Sequence, residues 1–117
     1  SMTGLPQQLR ILNYVELNCQ GKNPIIDSRD ILDNPRAILQ SLCENIEVPF
    51  SEEMLSWKMG PKDCDGIWAK HWYGSVWSSS GFIPHRKRDL DLSKEHHEVL
   101  SEAIPIYNEL RRNRLTT

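Results

Sequence analysis

Only a few residues of this 117-residue chain have the types and spacing for chemistry. A thiol becomes nucleophilic at neutral pH beside a base, and His71 is the base within reach in sequence of Cys64. No third residue is in evidence to orient that base, so a buried thiol or a chance pairing is the plainer reading. His96 and His97, with Glu95 and Glu98 around them, are metal-ligand types. Adjacent helical side chains diverge by about a hundred degrees and do not share one ion cleanly, so they read as solvated residues of a first helical turn. Asp27 ends a short apolar run, where α/β folds often place functional residues; a cap on the following turn is the simpler role. These patterns assign no catalytic residue and no metal site.

The most unusual stretch runs from Met54 to Phe82 and holds all four tryptophans. It is either the core of the domain or its site. Ile67, Trp68, Trp72, Ser75, Val76 and Ser79 recur with helical period, while Lys70, Tyr73 and Trp77 fall on another side. The spacing predicts one helix over 67–79, aromatic on more than one face. Trp68 and Trp72 align with Val76 and read as core. Trp77, with Tyr73, is the aromatic expected at a partner surface.

The elements around this stretch follow from their end signals. Pro6 suits a first helical turn, and Leu9, Leu12, Val15 and Cys19 then share a face until Gly21. Residues 24–27, Pro-Ile-Ile-Asp, form the one strand candidate, and a lone strand needs a neighbour for its backbone groups. Asn34-Pro35 starts a helix to about Asn45, with Ile38, Leu39, Leu42, Cys43 and Ile46 as its apolar stripe. Ser51 caps a shorter helix bearing Glu52 and Glu53 in its first turn. Ser93 caps the last helix, in which Pro105 should introduce a kink and Arg111, Arg112 and Arg114 complement the dipole. The expected fold is mainly α, with about five helices and one short strand, in a single domain over 3–117. Ser1-Met2 reads as a remnant of tag cleavage.

A formal charge of -2 gives no bulk attraction to nucleic acid or anionic membrane. His85-Arg86-Lys87-Arg88 is the one dense basic run and, with Asp89 and Asp91 behind it, reads as a solvated loop. No apolar run approaches the roughly 18 residues that cross a bilayer. The three cysteines are odd in number and widely spaced. Reduced thiols in a cytoplasmic setting are therefore expected, with neither a disulfide framework nor a zinc site.

The order of the short motifs adds a resemblance. Pro24-Ile25-Ile26-Asp27-Ser28-Arg29-Asp30-Ile31-Leu32, Asn34-Pro35, Leu42-Cys43 and Val48-Pro49-Phe50 come first. Met54-Leu55-Ser56-Trp57, Gly60-Pro61, Trp68-Ala69-Lys70-His71-Trp72-Tyr73, Ser79-Ser80-Gly81-Phe82 and Pro105-Ile106-Tyr107-Asn108-Glu109-Leu110 follow. Together they resemble the C-terminal third of the P-loop sulfotransferase-like family. The resemblance implies an α/β fold and sulfuryl transfer from 3′-phosphoadenylyl sulfate to a hydroxyl or amine. In that family a glycine-rich loop near the N-terminus holds the donor, and nothing here resembles it. The implied partner of this chain is the N-terminal part of the same fold, and the chain alone is expected to be inactive.

The resemblance also directs attention to the pocket for the donor's 3′-phosphate, where Lys70, His71, Ser79, Ser80 and Gly81 are the candidate contacts. Serine hydroxyls and backbone N–H groups can bind an anion. The serine run ends a helix, however, where the dipole opposes phosphate, and a capped helix end is the plainer reading. The competing view of the whole chain is a self-standing helical module that binds a protein partner or self-associates as a homo-oligomer.

Overall fold

The computed structural model describes residues 3–21 and 23–117. Ser1 and Met2, the expected cleavage remnant, lie outside the described residues. The described chain is mainly helical. Helix α1 spans Leu5–Asn18, beginning after Gly4 at φ 71° with proline in its first turn. It packs on the last helix, α6, which spans Lys94–Arg112. Leu12 on α1 and Ala103 and Leu110 on α6 are buried. Cys19, expected on the apolar face of α1, caps its end instead and is exposed.

The strand expected at 24–27 does not form among the described residues. Asp27 is extended, at φ -83° and ψ 128°. Among the described residues, the one backbone bond that reaches residues 24–26 from elsewhere is donated by the Leu115 N–H to the Ile25 carbonyl, at 2.8 Å. A ladder needs a second extended segment beside this one. The single β feature among the described residues is an isolated antiparallel bridge between Ser56 and Gly81.

Helix α2, Ser28–Asp33, follows directly, and Asp27 caps it by accepting from the Arg29 N–H at 3.0 Å. Helix α3, Pro35–Asn45, has the predicted Asn34 cap, which accepts from the Ala37 N–H at 3.4 Å. Its buried residues, Ile38 and Cys43, come from the expected stripe. The segment capped by Ser51 winds into a 3-10 turn, Glu52–Leu55, rather than the short α-helix expected there. A bidentate pair between the Arg36 guanidinium and the Glu52 carboxylate ties it to α3.

The helix expected over 67–79 divides into two single turns, α4 at Ala69–Trp72 and α5 at Gly74–Trp77. Gly74 weakens helix continuity, since a side-chain-free residue loses the most backbone freedom on ordering. Helix α6, by contrast, continues through Pro105, and its Ser93 cap accepts from the His96 N–H at 3.4 Å. No helix among the described residues is long and apolar enough to cross a membrane.

The chain as a whole is open. Its radius of gyration is 16.8 Å, against about 13 Å for a compact domain of this length. Among the described residues no side chain is fully buried, and on α1 Ile11, Tyr14 and Leu17 are 62, 65 and 86% exposed.

One helix end stores strain. The Val48 N–H donates to the Cys43 carbonyl at 2.9 Å and the Glu47 N–H to the Glu44 carbonyl at 3.4 Å, closing α3 in a Schellman arrangement. That places Glu47 at φ 58°, the position where glycine is usual. Left-handed backbone costs a residue with a Cβ about 1–2 kcal/mol. Glu47→Gly is therefore expected to stabilise the protein by about 1 kcal/mol in urea unfolding, after allowance for the unfolded-state entropy of glycine. A loss of stability would show that the glutamate side chain contributes more than its strained backbone costs.

Candidate functional site

Two hydrogen-bonded clusters dominate the structure. The first folds residues 56–82 back on themselves. The Trp57 N–H donates to the Ser80 carbonyl at 3.0 Å and the Gly60 N–H to the Trp77 carbonyl at 2.7 Å. The Trp57 indole N–H donates to Ser79 Oγ at 3.1 Å, and its ring meets Phe82 edge-on at 5.3 Å. Gly81 belongs to this turn because an added Cβ would lie 3.3 Å from the Leu55 carbonyl oxygen.

Here the candidate anion contacts divide. Ser79 Oγ donates to the Val76 carbonyl at 2.6 Å, and Ser78 Oγ donates to the Gly74 and Ser75 carbonyls at 3.1 Å each. Both hydroxyls therefore close the end of α5. Ser80 serves the fold through its carbonyl and Gly81 through its bridge to Ser56. Lys70 and His71 stand exposed on α4, His71 with its ring 6.3 Å from that of Trp68.

The tryptophans exchange their expected roles. Trp77 is half-buried and donates its indole N–H to Asp65 Oδ2 at 2.8 Å. The same Asp65 oxygen accepts from the Lys62 N–H at 2.8 Å. These two bonds, that from Lys62 the stronger influence, hold the Asp65 carboxyl below its usual range. Trp68 and Trp72, expected in the core, are 65 and 76% exposed. The break at Tyr73, just ahead of Gly74, parts both from Val76, with which a continuous helix would have aligned them. Tyr73 lies at the break, 40% exposed.

The second cluster is the one that the sequence reading took for a simple cap. Asp27 accepts at Oδ2 from the Tyr107 hydroxyl on α6, and Arg111 Nε lies 3.5 Å from the same oxygen. The Asp27 side chain is only 7% exposed. One turn along, Asp30 Oδ2 accepts from Arg114 Nε at 2.6 Å. A small cleft of about 220 Å³ opens beside Asp27, Tyr107 and Arg111. Burial pushes the Asp27 carboxyl up, but the bonds from Tyr107 and Arg29 and the charges of Arg111 and Arg114 outweigh it, leaving it lowered. The same bond, helped by burial and the Asp27 charge, raises the Tyr107 hydroxyl. An ionised, fully engaged carboxylate is a poor base, so the cluster positions α2 against α6 rather than moving protons. Its signal in the sequence was faint: Tyr107, Arg111 and Arg114 recur at helical steps, but nothing pairs them with residues so distant in the chain.

Asp27 is depressed relative to its ordinary value of 3.8. Its contribution to stability is thus complete above that pH and is lost as pH falls through the folded value, below 3.8. Tyr107→Phe is expected to move the Asp27 titration upward, read by carbon NMR of its carboxyl. It should also lower stability at pH 7 by about 1.5 kcal/mol, the low end for a bond to a charged group, since Tyr107 itself is 41% exposed. An unchanged titration would show that the hydroxyl does not hold the carboxylate in solution.

The family described as "Sulfotransferase domain" matches residues 16–114. Two proteins of Arabidopsis thaliana, "Branched-chain-amino-acid aminotransferase-like protein 1" and "protein 2", are each 38% identical over 99 residues. Each alignment covers 84% of this chain and 18% of the relative, so the chain spans under a fifth of their length. No solved structure matches. The family match extends from within α1, through the Trp57 fold and the Asp27 cluster, to the end of α6, and the chain belongs to the sulfotransferase domain family.

Proposed function

We propose that this chain forms the C-terminal helical part of an α/β sulfotransferase fold. The complete protein would move a sulfuryl group from 3′-phosphoadenylyl sulfate to an acceptor hydroxyl or amine. The carrying observation is the family match over residues 16–114, which takes in both hydrogen-bonded clusters. Residues 24–26 agree with it: they hold one backbone bond from elsewhere among the described residues, and apolar Ile11, Tyr14 and Leu17 stand exposed on α1. A parallel sheet supplied by the N-terminal part of the same fold would use such an edge.

In this reading the chain alone does not catalyse transfer. Lys70 and His71 offer free cationic or hydrogen-bonding groups to the donor's 3′-phosphate, and Ser79, Ser80 and Gly81 shape the turn beneath them. The reaction is assigned from the family of this region, not from the aminotransferase-like name of proteins of which it spans 18%. Exposed Cys19 and Cys64 fit a reducing cytoplasmic setting.

A second reading, a helical module that self-associates or binds a protein, draws on the exposed Trp68 and Trp72. Tyr73 remains part of that surface, whereas Trp77 would act by holding it in shape.

Calorimetry distinguishes the two. Adenosine 3′,5′-bisphosphate, the donor's desulfated product, is expected to give no saturable heat with this chain. Saturable binding should appear in a polypeptide extended upstream through a glycine-rich phosphate loop. Tight binding by the chain alone would overturn the incompleteness of the site. A defined oligomer in light scattering, broken by Trp72→Ala, would favour the module.

A further inference from the structure

The chain from 82 to 93 carries no helix or strand, yet it borders an open cleft of about 890 Å³. Its wall is the basic run His85 to Arg88, and its apolar side is built from Leu32, Ile83 and Leu90. The run is pinned where the His85 N–H donates to Asp33 Oδ1 at 2.8 Å, at the end of α2. Arg86, Lys87 and Arg88 take part in none of the ion pairs among the described residues. Asp89 and Asp91, though next along the chain, form no ion pair with them.

Three unpaired cations beside exposed Ile83 and Leu90, which are 58 and 69% exposed, make a surface with two requirements. The charges favour an anion, and the aliphatic side chains gain only if the ligand covers them with apolar surface. A mere solvated loop satisfies the first with water and counterions and leaves the second unmet. Size restricts the occupant further, since small-molecule sites measure about 300–1,000 Å³. A long polyanion would run from the short basic stretch onto the flanking aspartates of a protein with net charge -2.

We infer that this cleft binds a small amphiphilic anion, an organic sulfate, sulfonate, phosphate or carboxylate with an aromatic or aliphatic body. The anionic group sits among Arg86, Lys87 and Arg88, and the body lies on Ile83, Leu90 and Leu32. Binding here needs no donor loop and no transfer chemistry, so it stands whether or not the sulfuryl-transfer reading holds.

The test uses the chain as it is, with 2-naphthyl sulfate as the probe and calorimetry or tryptophan emission as readout. Saturable binding is expected, at least about tenfold tighter than for inorganic sulfate, a factor that matches burial of part of the ring, and tighter by a similar factor than for uncharged 2-naphthol, which lacks the anionic group that the cations hold. Arg86→Gln combined with Arg88→Gln should weaken it by about fivefold or more, as loss of two partly screened charges predicts. Leu90→Ser should weaken 2-naphthyl sulfate but not inorganic sulfate, which separates the apolar wall from the charges. Equal affinity for the three probes would overturn the proposal, as would binding unaffected by both sets of substitutions. Tighter binding of a sulfated oligosaccharide or single-stranded DNA would reassign the run to polyanions. Displacement by adenosine 3′,5′-bisphosphate at lower concentration than the probe would reassign it to the nucleotide site.

Discussion

The carboxylate of Asp27 is the constraint on which the arrangement of this chain depends. A charge only 7% exposed is costly unless it is bonded on every side. Its partners come from both ends of the chain: the Arg29 N–H from its own helix, and Tyr107 and Arg111 from α6. Remove those partners and α2 loses its cap geometry while residues 24–26 before it keep, among the described residues, only the backbone bond from Leu115 to Ile25. The neighbouring Arg114–Asp30 pair repeats the tie one turn on, so α2 cannot swing on a single pivot. Apolar packing of α1 on α6 then has a fixed helix to pack on.

The Trp57 fold is held by a different logic. Two indole N–H groups and two backbone N–H groups all point inward, onto Ser79, Asp65, Ser80 and Trp77. An indole brings apolar area and one donor, so it is half-buried most cheaply where an acceptor waits at its edge. Trp57 and Trp77 find such acceptors. Trp68 and Trp72 do not, and they lie outside. Burial among these four rings thus follows the acceptors rather than helical period.

Local signals in the sequence were legible wherever they act locally. Asn34-Pro35, Ser51, Ser93 and Pro6 each announce the start of an element, because a cap or a preset φ operates within one turn. The six residues of α2 carry too little periodicity to be distinguished from the extended run before them. The division of α4 from α5 turns on one glycine, and a repeat read across it counted two short turns as one long helix. Asp27 was recognised as a cap, since capping is local. Its bonds to Tyr107 and Arg111 were not, because residues eighty apart are brought together by the packing of whole helices, as in the Tyr107 hydrogen bond. The basic run looked solvated for the same reason: the cleft beside it is built partly by Leu32, far away in sequence.

The openness of the chain bears on how its site would be regulated. With no fully buried side chain among the described residues, the chain has little apolar stabilisation to offset the entropy of ordering. Anything that binds the ordered form alone then stabilises it in proportion to occupancy. A sheet docking beside residues 23–27 would act on the Asp27 tie, since that segment and α2 share Asp27 as end and cap. The basic cleft is joined to the far end of the same short helix through Asp33. Helix α2 therefore stands between the edge a partner would complete and the cleft a ligand would fill, and with six residues it has little capacity to bend. If both proposed contacts form, ordering at one end of α2 would restrict the other, and partner docking and ligand binding would be coupled to the extent that either one fixes its position.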